Sequence, residues 1–256
     1  LGKFIGEGIK QEDRMPNREV MLAKMTRREF REGIEGEKFS TAIVCVGSHE
    51  QHSEHLAMEH DIESVVHIAR EAARRLYPQV VVVVPMAVGI SEHHMHHKGT
   101  ISARPGGWLS VLFDVVESMV RHGVKNVLIF NGHGGNTLPV MGTIDQMRYS
   151  LKYNAPGVNL QFCSYWDLIP RDFLLKHMET DVIPGHAKEF ETAIALALFP
   201  ENVRKEIMPG MEDQDPLLAT AEKGRLYVEE AVEQTVEYLK RMMDGQIRMP
   251  ELKHFP

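Results

Sequence analysis

The sequence predicts an α/β protein, a three-layer αβα sandwich around a mostly parallel sheet, and three observations carry that reading. Short β-branched runs alternate with amphipathic segments of helical length, the pattern of strands joined by crossover helices. Residues 80–84 are all valine, with no polar alternation, as expected of a strand covered on both faces. The chemistry-bearing polar clusters follow the strand-like runs instead of preceding them, which is where ligand sites lie in such sheets.

In chain order, a short helix opens after Thr26, with Glu29 three residues on to complete a capping box. Residues 41–46 are the first strand. A helical apolar stripe over 62–77 stops at Pro78, which pushes the residue before it out of helical geometry. The second strand is placed at 79–85, and a helix at 107–122 ends at Gly123. A third strand at 126–130, a helix at 137–153 and a fourth strand at 158–164 follow. Helices at 188–198 and about 217–243 close the chain. No repeat, low-complexity tract or linker divides it. One doubly wound domain over 1–256 is expected, with its motif-bearing core at about 40–200.

The composition narrows the function. The chain has 256 residues, 43% of them hydrophobic, which is enough for a sizeable core. Against 29 Lys and Arg stand 36 Asp and Glu, a formal charge of −7, and the acidic balance argues against a nucleic-acid or anionic-membrane partner. Cys45 and Cys163 lie in apolar runs, where reduced buried thiols are usual, and fit a cytoplasmic protein. The N-terminal residues show no apolar signal segment, and the run at 80–88 is too short to span a bilayer. A small-molecule or peptide substrate is the expected partner.

Nine of the 14 histidines fall between His49 and His97, in two strand-end loops and the helix between them. The first loop holds Glu50 and His52, which an extended segment places on one side, and Asp61 opens the next helix within reach of the same point. The second holds Ser91, Glu92 and the run His93-His94-Met95-His96-His97. The third strand leads into Asn131-Gly-His-Gly-Gly-Asn136, where glycines let the imidazole of His133 and a substrate approach closely. The fourth leads into Tyr165-Trp166-Asp167, and a later loop carries Gly185-His-Ala-Lys-Glu-Phe-Glu-Thr192. Imidazole nitrogen and carboxylate oxygen are the donors that Zn²⁺, Mn²⁺ and Fe²⁺ accept. Alone, a Glu-x-His pair is ordinarily a solvated surface feature. Four such groups at neighbouring strand ends are a much stronger signal.

These segments, with Gly99-Thr-Ile-Ser102, resemble in order and spacing the serial motifs of the creatininase (creatinine amidohydrolase) family. The resemblance implies an αβα metal-dependent hydrolase of amide-type bonds, assembled as a homo-oligomer, often a hexamer. It implies one divalent ion held by Glu50, Asp61 and His133, and a second by His52 and Asp61. In creatininases proper a Glu two residues after the motif histidine completes the second set. Here that position is Gly135, which cannot ligate, and Glu189, three residues after His186, is assigned as the replacement. Glu191 is assigned to an outer or proton-relay role beside the catalytic His186. The aromatic positions that stack creatinine correspond to Val182 and Gly134, whereas Trp166 keeps a family aromatic. A substrate other than creatinine is therefore expected: an amide, formamide, lactam, lactone or peptide bound near Ser91, Gly134, Trp166 and Val182.

The expected reaction is hydrolysis of a carbon–nitrogen bond by a hydroxide shared between two ions, with His186 protonating the leaving nitrogen and backbone N–H groups around Gly134–Asn136 assisting the oxyanion. The rival reading treats Asn131–Asn136 as a glycine-rich anion or nucleotide cradle in a protein without catalysis, or one that keeps the fold for assembly. The absence of a nearby Lys or Arg after that loop counts against it. Further alternatives concern single residues: His186 as a helix cap, Trp166 as core, and His96 and His97 as an exposed loop. His49, His55 and His60 are read as orienting partners or lid residues.

Overall fold

Four parallel strands form the sheet in a computed structural model that describes residues 19–251. The N-terminal residues read above for a targeting signal lie outside that range. The strands are β1 (Thr41–Val46), β2 (Val80–Val82), β3 (Asn126–Asn131) and β4 (Asn159–Ser164), in the order β2-β1-β3-β4. Thr41 is level with both Val80 and Asn126, and Asn126 with Asn159, so all four strands deliver their carboxyl ends to one edge.

The helices are α1 (Arg27–Glu35), α2 (His60–Arg75), α3 (Pro105–Arg121), α4 (Gly134–Met141), α5 (Ile144–Asn154), α6 (Tyr165–Leu168), α7 (Arg171–His177), α8 (Glu189–Leu198) and α9 (Ala221–Met243). Successive strand residues point to opposite faces. Ile43, Cys45, Leu128 and Phe130 pack on α2, α8 and α9, while Ala42, Val44, Val46, Val127, Ile129 and Leu160 pack on α3, α4 and α5. The sheet is thus covered on both sides, as the uninterrupted valines require. Each such buried aliphatic or aromatic side chain contributes on the order of 1.5–3 kcal/mol.

Local chemistry sets the boundaries. The capping box forms: Glu29 N–H donates to Thr26 Oγ1 (3.2 Å) and Thr26 N–H to Glu29 Oε2 (2.6 Å). β2 is shorter than the valine run because Pro85 lacks a donor. Beyond Val82 the chain holds β1 only at intervals, through Val83 N–H to Ile43 O and Met86 N–H to Cys45 O. The helix expected over 137–153 is two helices, broken at Gly142 and Thr143, where Thr143 Oγ1 turns back onto Pro139 O. The last helix starts at Ala221, capped by Thr220, because 215–218 form a tighter turn. Among the described residues no helix is long and apolar enough to cross a membrane.

Candidate metal centre

The strand ends converge on one cluster. The loop after β1 supplies Glu50 and His52, the first turn of α2 Asp61, the loop after β3 His133, and the first turn of α8 Glu191; all five are buried. Asp61 stands between the two imidazoles, with Oδ1 3.0 Å from His52 Nε2 and Oδ2 3.0 Å from His133 Nδ1. His133 Nδ1 also lies 3.3 Å from Glu50 Oε1, and His52 Nε2 3.7 Å from Glu191 Oε2. The donor atoms of Glu50, His52 and Asp61 lie within 4.8 Å of one another, as do those of His52, His186 and Glu191.

Each histidine is oriented from behind. His52 Nδ1 faces the Glu50 carbonyl oxygen (3.2 Å), and a proton there leaves the Nε2 lone pair pointing at Asp61. His133 Nε2 faces Ile90 O and Ser91 Oγ (both 3.1 Å), which leaves Nδ1 toward Glu50 and Asp61. Fixing one ring nitrogen so that the other can ligate is the arrangement of metal-binding imidazoles. The decisive detail is what has no partner. Among the described residues Glu50 Oε2, Asp61 Oδ2 and His52 Nε2 are buried without a well-formed hydrogen bond, their close neighbours being the other imidazoles and carboxylates of the cluster. Such a penalty is tolerated where a cation takes the lone pairs.

The electrostatics agree. Burial alone would lower the His52 and His133 pKa values, but the surrounding carboxylates raise them to about 9 and about 10. Burial works against ionised Asp61 and Glu50 too, yet the imidazoles hold both below the usual carboxylate range. Without an ion, protons on the histidines balance the carboxylates, and a metal displaces them. Burial, with Asp61 nearby, raises Glu191 to about 7. Burial and the His52 charge lower His186 to about 4, so its imidazole is neutral near pH 7.

The frame is built for close approach. Asn131 Nδ2 donates to His133 O (2.8 Å) and Ser164 Oγ (3.1 Å), while its Oδ1 accepts from His133 N–H (3.1 Å). Asn136 Oδ1 accepts from Ile90 N–H (3.0 Å) and its Nδ2 donates to Gly47 O (3.1 Å), tying three strand-end loops together. A Cβ on Gly135 would meet the Ile90 carbonyl and the His133 ring. His52 and His186 are each followed by a residue in the left-handed region, Ser53 (φ 56°) and Ala187 (φ 54°). This conformation costs about 1–2 kcal/mol each, strain of the kind that collects at functional sites.

A cavity of about 280 Å³ opens above the cluster, walled by Glu50, Asp61, His133, Glu191, His93, His94, His186, Gly134, Gly135, Trp166 and Pro184. Trp166 is thus a wall residue that also packs edge-on against Tyr165. Gly134 also lines the cavity. Ser91 lies one layer behind, hydrogen-bonded to Ser48 Oγ and His133 Nε2. Val182 faces solvent instead, and Pro184 takes the wall. Of the backbone donors at Gly134–Asn136, the Asn136 N–H is already taken by His133 O.

Glu189 does not join the cluster. Its carboxylate is fully buried on the opposite side of α8, where it accepts from Lys223 Nζ (2.6 Å), Glu179 N–H (2.9 Å), Thr180 N–H (2.9 Å) and Thr180 Oγ1 (3.1 Å). The carboxylate brought to His52 from that helix is Glu191. His55 donates or accepts at Thr192 Oγ1, and His60 packs its ring 5.0 Å from that of His52. His96 and His97 are exposed, as read for them. The residues the motifs did not flag are Gln51, which contacts both His94 and His186, and Thr100, whose Oγ1 accepts from Gln51 N–H (3.1 Å). The Gly-Thr-Ile-Ser segment could have pointed to them, since it pins the loop after β1 through Ile101 N–H to His49 O.

Comparison with known proteins agrees with this architecture. Residues 23–216 match the model of the creatininase family, creatinine amidohydrolase. The creatinine amidohydrolase of Pseudomonas putida is 23% identical over 197 residues, 73% of this chain and 75% of its own length. A mycofactocin precursor peptide peptidase of Mycobacterium ulcerans (strain Agy99) is 26% identical over 222 residues, 79% and 86% of the two chains. The 3-dehydro-scyllo-inosose hydrolase of Thermotoga maritima is 26% identical over 193 residues, 73% of this chain and 58% of that protein. A crystal structure of creatininase superposes with a TM-score of 0.76 at 24% identity, over 90% of this chain and 98% of the other, and a manganese creatininase with 0.75 at 22%, over 87% and 98%. The chain belongs to the creatininase family and, like these relatives, is a hydrolase.

Proposed function

We propose that the protein is a metal-dependent amidohydrolase that cleaves the carbon–nitrogen bond of a small amide, formamide or cyclic amide. The observation that carries this reading is the set of buried lone pairs on Glu50, His52 and Asp61 that have no hydrogen-bond partner among the described residues, with Glu50 and Asp61 lining a cavity at the carboxyl edge of the sheet. Glu50, Asp61 and His133 would hold one divalent ion, Zn²⁺, Mn²⁺ or Fe²⁺, and His52, Asp61 and Glu191 a second. Bound ions of this kind polarise a carbonyl oxygen and lower the pKa of water toward neutrality. The chain's own groups do the rest. Trp166 and Pro184 wall the cavity, and His186, beside Glu50 at 3.6 Å, presents the Nδ1 edge of a neutral imidazole to the leaving nitrogen. At about 280 Å³ the cavity lies at the small end of ligand pockets, which favours a compact substrate over a long peptide.

The anion-cradle reading has less support, because the Glu50 and Asp61 carboxylates in the cavity repel a phosphate. Exposed Leu138 (81%) and Met141 (60%) on α4 support assembly into a homo-oligomer, a hexamer by family resemblance, and sedimentation velocity reads this directly. The function is tested by metal analysis with Glu50→Gln and Asp61→Asn, and by a screen of formamides, lactams, cyclic ureas and short peptides with Zn²⁺ or Mn²⁺. Full metal content and turnover in both variants would refute the proposal.

A further inference from the structure

Gln51 lies between two imidazoles at the mouth of the cavity. Its Nε2 is 2.9 Å from His94 Nδ1 and 2.8 Å from His186 Nε2, and its Oε1 accepts from Ser53 N–H at 2.8 Å. The Ser53 contact settles which end of the amide is which. An N–H can only donate, so the oxygen faces Ser53 and the NH₂ group faces the rings, giving one hydrogen to each. A ring nitrogen that accepts a hydrogen bond is unprotonated, and in a neutral imidazole the proton then sits on the other nitrogen. His94 is therefore protonated on Nε2 and His186 on Nδ1.

Both of those N–H edges face the same place. His94 Nε2 is 3.8 Å and His186 Nδ1 3.6 Å from Glu50 Oε1, too far for a hydrogen bond. The rings stack in near-parallel fashion, centroids 4.4 Å apart and planes at 21°. Their side chains are partly exposed, 18% for His94 and 36% for His186, on the wall of the cavity. No protein acceptor among the described residues takes either hydrogen.

We propose that His94 is a second catalytic hydrogen-bond donor of this site, directed with His186 at the substrate's carbonyl and leaving nitrogen, and that Gln51 is the positioning residue that fixes the tautomer of both rings. The assignment rests on the amidohydrolase reading above and deepens it. It divides the work without deprotonating either ring: His186 Nδ1–H hydrogen-bonds the leaving nitrogen, whose added proton is the one the attacking water loses, and His94 Nε2–H stabilises negative charge growing on the carbonyl oxygen. Neutral imidazole can act as such an electrophile, as it does in triosephosphate isomerase. It also decides against a third ion. Glu50, His94 and His186 lie within 4.8 Å of one another, but an ion there needs lone pairs where the Gln51 amide places hydrogens.

The test reads the tautomers directly, by multiple-bond ¹H–¹⁵N spectra of zinc-loaded full-length protein labelled on histidine, with His94→Phe and His186→Phe to assign the signals. The expected result is His94 protonated on Nε2 and His186 on Nδ1, both reversed in Gln51→Glu, whose carboxylate only accepts. Gln51→Glu should bind one more equivalent of zinc, because reversed rings offer lone pairs toward Glu50. Acetohydroxamate, an amide-like probe, should shift the His94 Nε2–H signal. In turnover, His94→Phe should lower kcat about 100-fold with bound zinc and Tm unchanged, and His94→Gln, which restores an N–H, should recover part of it. Opposite tautomers in the wild type, no response to acetohydroxamate, or loss of zinc in His94→Phe would each overturn the assignment. A protein that binds no zinc would remove the amidohydrolase reading while leaving the tautomers legible.

Discussion

Replacing Glu189 and Glu191 by glutamine, one at a time, separates two carboxylates that lie two residues apart in the first turn of α8. Glu189 is fully buried and holds Lys223 Nζ at 2.6 Å, together with two backbone N–H groups and a hydroxyl. Glu189→Gln turns one acceptor into a donor facing other donors and leaves the ammonium without its closest anion. Losing one partner of a buried pair costs about 3–5 kcal/mol. Lys223 keeps Leu218 O (2.9 Å) and Glu179 (3.4 Å), so the low end applies, about 3 kcal/mol, or roughly 6–12 °C in Tm. Bound metal should stay at the wild-type level. Glu191→Gln should do the reverse. Burial already favours its neutral carboxyl, which the amide imitates, so metal-free stability at pH 8 should hold or rise slightly. Metal affinity should fall by at least about 100-fold, more than the loss of an outer partner usually costs. Thermal melts in chelator and competition with a fluorescent zinc chelator give the two readouts. Metal loss in Glu189→Gln with retention in Glu191→Gln would refute the reasoning.

The metal-free protein should lose stability as pH rises. The folded pKa values of His52 and His133, raised to about 9 and about 10, lie above the ordinary imidazole value, so their contribution is complete below about pH 6.5 and is lost through pH 9–10. The slope is up to about 1.4 kcal/mol per imidazole per pH unit, or roughly 3–5 °C, and melts in chelator from pH 6 to 10 check it; a flat profile there, or the same slope with zinc bound, counts against the assignment. Gly135→Glu should not restore a ligand, because even its Cβ meets Ile90 O and the His133 ring; lower Tm with no gain in zinc affinity is expected from melts and titration. Asn136→Ala strands the Ile90 N–H and the Gly47 carbonyl and should cost about 2–4 kcal/mol by urea unfolding, against less than about 1 kcal/mol if these bonds are incidental.

Much of this was legible in the sequence for identifiable reasons. The valine run and the crossover helices revealed the sheet, and the carboxyl-end rule located Glu50, His52, Asp61 and His133 before any contact was known. The exchange of Glu189 for Glu191 was not legible. At 100° per residue the two carboxylates lie about 200° apart around α8, so the roll of that helix alone decides which faces His52 and the rest of the cluster. The roll is fixed by Phe190, Ala193 and Ile194 packing in the core, a tertiary fact. Gln51 was hidden because alternation in an extended loop points it away from Glu50 and His52, whereas the left-handed turn at Ser53 folds the loop back over it. Val182 was misplaced for a similar reason, since the turn at Gly185 (φ 66°) sends Pro184 to the wall instead.

The glycine at 135 moves a structural dependence from one side of the sheet to the other. A ligand at that position would belong to α4, in the layer of α3 and α5; Glu191 belongs to α8, in the layer of α2 and α9. His133 still comes from the strand end beside α4, so the cluster joins the two layers like a keystone, and the layers bear on it unequally. With two of its carboxylates, Asp61 and Glu191, rooted in α2 and α8, removing metal from a loaded protein should first loosen the helices on that side. Amide hydrogen exchange with and without chelator would show this as faster exchange in α8 and the first turn of α2, while α3 and α5 keep their protection.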